Sequence, residues 1–195
     1  MNRENQPKAR ADEVRIRKAR ESDLPALIRL YAELHLDDYR YRSPSIRAMR
    51  AAFRAIARDR AHHIVVATQS GEVVGTLHVM IFRHLGHGLH PVAIVENVVV
   101  LDTMRSRRIG ARMLEHAARI AGRNRCYKMS LTTNLKRRRA HRFYERLGWK
   151  KSHFGYSFTR KEDGEEEGAV AAITRLAATH ASGLAGAHRL RRSHD

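Results

Sequence analysis

One carboxylate, Glu96, interrupts the apolar run VAIVENVVV between Val92 and Val100. A carboxylate set among valines on a buried strand loses hydration. Its pKa rises, and it becomes basic enough to take a proton near neutral pH. The other reading is a strand-end glutamate neutralised by one of the chain's many arginines. Just beyond the run lie Arg105, Ser106, Arg107 and Arg108, followed by Ile109, Gly110 and Ala111. Ile109, Met113, Ala117 and Ile120 recur at helical spacing, so a helix is expected to begin near Arg107. The first turn of a helix carries unpaired N–H groups and the positive end of the macrodipole, which favour an anion and disfavour cations. Arginines gathered there make sense as a phosphate cradle, or as a merely solvated basic turn.

Strand alternation predicts Glu96 on one face with Ile94, Val98 and Val100, and Asn97 on the other with Val95 and Val99. After the helix, Cys126 to Thr132 reads as a further strand with Asn134 just past it. Ala140, Phe143, Tyr144 and Leu147 then form one stripe of a last helix, opened by Arg137, Arg138 and Arg139.

The order VENVVV, RSRRIGA, CYKMSLTTN and AHRFYERLGW resembles the GCN5-related N-acetyltransferase (GNAT) family, most closely its small bacterial members and glucosamine 6-phosphate N-acetyltransferase. Arg105 and Gly110 match the family's acetyl-CoA signature, whereas Arg108 stands where its first glycine is usual and Ser106 replaces another frequent glycine. A right-handed helical conformation at Arg108 is expected to tolerate that side chain. The resemblance runs from about Val14 to Phe158. It implies an α/β (α+β) fold, a mixed and mostly antiparallel sheet with helices on both faces, splayed centrally to admit the pantetheine arm. It also implies direct transfer of an acetyl group from acetyl-CoA to a primary amine in a ternary complex. Glu96 would be the base and Tyr144 the acid that protonates the departing thiolate, although periodicity alone reads Tyr144 as core. The cofactor would be held by Val98, Val99, Val100, Arg105, Ser106, Arg107, Arg108, Ile109, Gly110, Ala111, Asn134 and Arg138. Asn134 equally suits a loop or helix cap. Asp38, Tyr39, Tyr41 and Asn97 would contact the acceptor. A GNAT-fold CoA-binding module without turnover is the alternative within the family.

The elements that position these groups read in order. Val14 and Ile16 begin a first strand, Ser22 caps a helix carrying Leu24, Leu27, Ile28, Tyr31 and Leu34, and Ser43 or Ser45 caps a second with Ile46, Met49, Phe53 and Ile56 inward. His63–Thr68 and Val73–Phe82 form a hairpin around Gly71. His84, His87 and His90 lie in a glycine-containing loop with no carboxylate or cysteine to complete a metal set, so no metal is expected and the loop reads as bordering the acceptor site. Gly122 is expected to stop the third helix, and a final strand is expected from Trp149 to Thr159.

At 195 residues the chain suits one α/β domain, expected over 14–159, with an unstructured arm over 1–13 and an acidic then basic low-complexity tail over 160–195. Its lone Cys126 excludes an intrachain disulfide, and it contains neither a signal-peptide core nor an apolar membrane span, so a cytoplasmic protein is expected. A net charge of +18 and a pI near 11.2 favour phosphorylated ligands, CoA among them. They also leave open a basic nucleic-acid-associated protein. A small-molecule or peptide amine is the expected acceptor, tilted toward neutral or anionic amines because polycationic acceptors generally need carboxylates, and a homodimer is the commonest symmetric assembly.

Overall fold

The β-branched runs become a five-stranded sheet in the computed structural model of the chain, which describes residues 13–34 and 43–156. Strands β1 (Arg15–Lys18), β2 (His62–Gln69), β3 (Glu72–Phe82), β4 (Val92–Val100) and β5 (Lys128–Ser130) lie side by side in chain order. The first four pair antiparallel, and β5 joins β4 in parallel. Helices α1 (Leu24–Leu34) and α2 (Ile46–Arg58) precede β2, α3 (Ile109–Arg123) crosses from β4 to β5, and α4 (Arg138–Arg146) follows β5. Chain contacts divide the molecule into units of 1–151 and 152–195, and every strand and helix named here belongs to the first.

Each sheet face is sealed by helices. Ile109, Met113, Leu114, Ala117 and Ile120 of α3 bury against Val65, Leu77, Val79, Ala93 and Val95. On the opposite face Leu24, Leu27 and Leu30 of α1 meet Ile64, Val66, Val73 and Val99, with Met49, Phe53 and Ile56 of α2 packed outside them. Burying each such leucine or isoleucine contributes roughly 1.5–3 kcal/mol.

Local chemistry differs from expectation at several ends. Asp23, rather than Ser22, closes the turn into α1: its carboxylate accepts the Arg20 N–H at 2.7 Å and holds Arg17 through two bonds of 2.7 and 2.8 Å. A carboxylate that also neutralises an arginine outcompetes a hydroxyl. Ser45 caps α2, accepting from Ala48 N–H at 3.2 Å. Helix α3 runs one residue past Gly122 and stops where Arg125 turns left-handed at φ 55°. The fifth strand is only three residues long, and no strand forms over 149–156. Lys150, Lys151, Ser152 and His153 offer no β-branched alternation there. Residues 1–12, 35–42 and 157–195 are not described, so the expected arm, most of the α1–α2 linker and the tail lie outside the described residues.

Alternation along β4 is broken. Thr76 pairs with Val99 and His78 with Glu96, so Leu77 faces both Asn97 and Val98. This is a β-bulge, and its extra residue, Asn97, sits left-handed at φ 55°. The expected faces are therefore corrected: Val95 belongs to the core under α3, Val99 to the core under α1, and Val98 and Val100 turn toward the α3 side. Asparagine adopts this conformation more readily than most residues.

Candidate active site

Pairing of β4 with β5 ends at Ile94 and Ser130. Beyond that point the strands diverge, and a cleft of about 210 Å³ opens between Val95–Val98 on one side and Leu131–Asn134 on the other. Leu34, Arg137, Ala140 and Tyr144 complete its wall. Strand β4 keeps β3 on one edge and, among the described residues, has no strand on the other here, so its cleft-side N–H and C=O groups could pair with an extended ligand as with a neighbouring strand.

Glu96 reaches this cleft at the bulge. It forms neither ion pair nor hydrogen bond among the described residues. Although Glu96 is exposed overall, partial burial of the carboxyl raises its pKa above the ordinary carboxylate range. Across the ladder stands His78, whose Nε2 lies 3.0 Å from His62 Nδ1. Burial, with smaller contributions from His62 and His63, pushes His78 down to about 4, so no cation forms beside Glu96 at neutral pH. His78 was not legible as a neighbour without the strand register.

Tyr144 lies on the facing wall, packed on Phe143 and Trp149 with ring centroids 5.2 and 5.9 Å apart. Burial raises its phenol pKa. Arg137 opposes that shift and Glu96 adds to it, so all three groups act on one small volume. The Oδ1 of Asn134 accepts Lys136 N–H at 2.9 Å, which is the loop-capping role, and leaves the amide nitrogen for a ligand. Of the three predicted valines only Val98 lines the cleft. Asn97 also lines it, whereas Arg138 does not and its neighbour Arg137 does. Arg137 precedes α4, whereas Arg138 is the first residue of the helix and is exposed.

The basic turn has a geometry that the sequence did not suggest. Ser106 and Arg108 are both left-handed, at φ 65° and 59°. The expected helical conformation at Arg108 is thus wrong, and the usual glycine there is explained by its freedom at positive φ. Helix α3 starts after it, at Ile109, without a side-chain cap. The N–H groups of Ile109, Gly110 and Ala111 precede the first helical bond, from Arg112 N–H to the Arg108 carbonyl, and the left-handed residues before them suit an anion-binding nest. Arg105 folds back onto Asp102 and donates from Nε to the Val100 carbonyl at 3.3 Å, bracing the turn. Arg107 and Arg108 are exposed and unpaired among the described residues. A Cβ on Gly110 would lie 3.0 Å from Phe143 Cζ, so glycine lets α3 and α4 approach beside the nest. A carboxylate, Glu96, and a phenol, Tyr144, thus line one cleft, a pair that can move protons to and from a molecule bound between them.

No residue of the 83–91 loop lines the cleft, contrary to expectation. His87 stacks instead on Tyr127 at 4.3 Å, with His84 edge-on to both. Among the described residues no group of three or more potential ligands could hold a metal, and no helix is long and apolar enough to cross a membrane.

The family described as acetyltransferase (GNAT) matches residues 24–149. Aminoalkylphosphonate N-acetyltransferase of Salmonella typhimurium strain LT2 is 34% identical over 142 residues, spanning 73% of this chain and 88% of that protein. A Bacillus halodurans C-125 structure, titled a transcriptional regulator, superposes with TM-score 0.70 at 32% identity, covering 76% of this chain and 100% of that one. Glucosamine-6-phosphate N-acetyltransferase of Arabidopsis thaliana shares the fold with TM-score 0.65 at 24% identity, covering 78% and 100%.

Proposed function

Because the chain belongs to the GNAT family of acetyltransferases and moves an acetyl group from acetyl-CoA to an amine, we propose that its acceptor is a small amine bearing an anionic group, of the aminoalkylphosphonate type. The observation that carries this reading is the cleft's charge pattern, in which, among the described residues, the ionisable groups besides Tyr144 are Glu96 and Arg137. One carboxylate suits one ammonium, and one guanidinium suits one anion. The relative's substrate name supports the same class.

Acetyl-CoA, when bound, supplies an acetyl group activated as a thioester. Ser106–Ala111 would hold its phosphates through the nest, with Arg107 and Arg108 alongside, and the open edge of β4 together with Asn134 would hold the extended arm. Backbone N–H groups freed by the bulge at Asn97 and Val98 would polarise the thioester carbonyl. An alkylammonium has a pKa near 10, so only about one in a thousand molecules is nucleophilic at neutral pH. Glu96, desolvated and unpaired, takes the ammonium proton directly or through one water. The freed nitrogen attacks the carbonyl carbon, the C–S bond breaks, and Tyr144 gives its proton to the departing sulfur. The nitrogen's second proton leaves to solvent by way of Glu96, and the phenol is reprotonated.

The test is acetyl transfer to a panel of aminoalkylphosphonates, neutral amines and polyamines, followed by thiol release, for wild type and Glu96→Gln. The expected outcome is preference for the phosphonates and a loss of about 100-fold or more in kcat for the variant, with acetyl-CoA binding unchanged. Preference for polyamines would refute the acceptor class, and equal loss of cofactor binding would refute the role of Glu96.

A further inference from the structure

Arg137 is the cleft's sole cation among the described residues, and no carboxylate neutralises it. It stands at the residue before α4, half-buried. One guanidinium nitrogen, Nη2, donates to the Leu34 carbonyl at the end of α1, 2.5 Å away. That bond anchors the guanidinium beside the cleft and uses one donor of a planar fork. The remaining donors keep the geometry that matches a tetrahedral oxyanion or a carboxylate. An incoming anion would supply the counter-ion that the described residues do not. The span also fits. Arg137 and Glu96 line the same cleft of about 210 Å³, so a molecule touching both is a small one, with a short linker between its amine and its anion.

We propose that Arg137 is the specificity-determining residue of this enzyme, gripping the anionic end of the acceptor while Glu96 receives its amine. The proposal rests on the acceptor class given above. Arg137 thereby sets which nitrogen is presented to the thioester: an acceptor anchored at its anion can bring only its far end to Glu96.

Steady-state kinetics with aminoethylphosphonate and with propylamine, a neutral acceptor of similar length, test this on wild type, Arg137→Gln and Arg137→Lys. For the glutamine variant, kcat/KM toward aminoethylphosphonate should fall by about 10- to 100-fold, the usual worth of a charge-assisted pair. The fall should appear chiefly in KM and should exceed, by about tenfold, any accompanying loss with propylamine or with acetyl-CoA. The lysine variant should recover part of the loss. Thermal melting of both variants checks that the bond to Leu34 has not been a folding requirement. Equal losses on both acceptors, or a raised KM for acetyl-CoA, would overturn the proposal in favour of a structural or cofactor-binding role. A separate arm uses methylphosphonate as a competitor of propylamine acetylation. Inhibition in wild type that disappears in Arg137→Gln supports the anion grip even if aminoethylphosphonate is a poor substrate, an outcome that would refute the acceptor class alone. Absence of inhibition in wild type counts against the grip itself.

Discussion

Replacing Arg108 with glycine separates the folding cost of the cofactor turn from its use. Arg108 holds φ 59° and ψ 9° immediately before α3, a left-handed conformation that costs a side-chain-bearing residue roughly 1–2 kcal/mol. Glycine removes that strain, but its greater freedom in the unfolded chain takes back roughly 0.5–1 kcal/mol. The substitution also removes a cation from the positive end of α3, contributing roughly 0.3–1 kcal/mol at low salt. The three contributions leave Arg108→Gly more stable than wild type by about 1 kcal/mol, or roughly 3 °C in Tm for a chain of this size. Thermal unfolding without ligand at low and high salt measures it, and the macrodipole part should vanish in high salt while the strain part remains. Acetyl-CoA affinity, read by calorimetry on the same protein, should move the opposite way, because a guanidinium beside the nest is lost. A variant that melts lower than wild type at both salt concentrations would refute the strain argument. One that binds acetyl-CoA as tightly as wild type would show that the side chain is tolerated rather than used.

Two further outcomes follow from geometry alone. Gly75 lies where β3 approaches β4 closely, and a Cβ there would sit 3.0 Å from the Val99 carbonyl, 3.1 Å from Met113 Sδ and 3.2 Å from Val100 Cγ2. Gly75→Ala should therefore destabilise by roughly 1–3 kcal/mol, seen as a lower denaturation midpoint, and an unchanged midpoint would refute the stated crowding. His78 is neutral in the folded protein down to about pH 4, whereas an unfolded histidine takes its proton near 6.5. Stability is thus whole above pH 6.5 and declines as pH falls toward 4, by at most about 3 kcal/mol from this residue. His63 and His116, also shifted down by burial, add in the same direction. Urea unfolding between pH 7 and 4.5 should show a shallower decline for His78→Gln, and an identical decline would assign the effect elsewhere.

The first four strands and the order of the helices were legible because each rests on a period or a composition that survives folding. Six of the nine residues of Val92–Val100 are β-branched, and Ile109, Met113, Ala117 and Ile120 kept helical spacing; both elements formed. Legibility ended where one residue changed the count. Alternation placed Val99 beside Asn97, and the bulge at Asn97 placed it in the opposite core. An asparagine amid valines was the available signal, since it tolerates positive φ. Arg137 and Arg138 were indistinguishable by type, and only the start of α4 decided which entered the cleft.

That single extra residue also explains why the site sits where it does. Without the bulge, Glu96 and Val98 would share a face, and the carboxylate and the backbone beyond it would serve one side of the sheet. With it, Glu96 pairs across from His78 near the α1 side, while Val98 and Val100 turn toward α3 and the turn of Arg105–Arg108. Consecutive stretches of one strand can then address two ligands, an amine before the bulge and an extended cofactor arm after it. The divergence of β5 beyond Ser130 supplies the room, and Tyr144 and Arg137 close it from α4. A fold that kept perfect alternation through Val100 would have packed more evenly and left the carboxylate and the open strand edge on separate business, with no shared cleft between them.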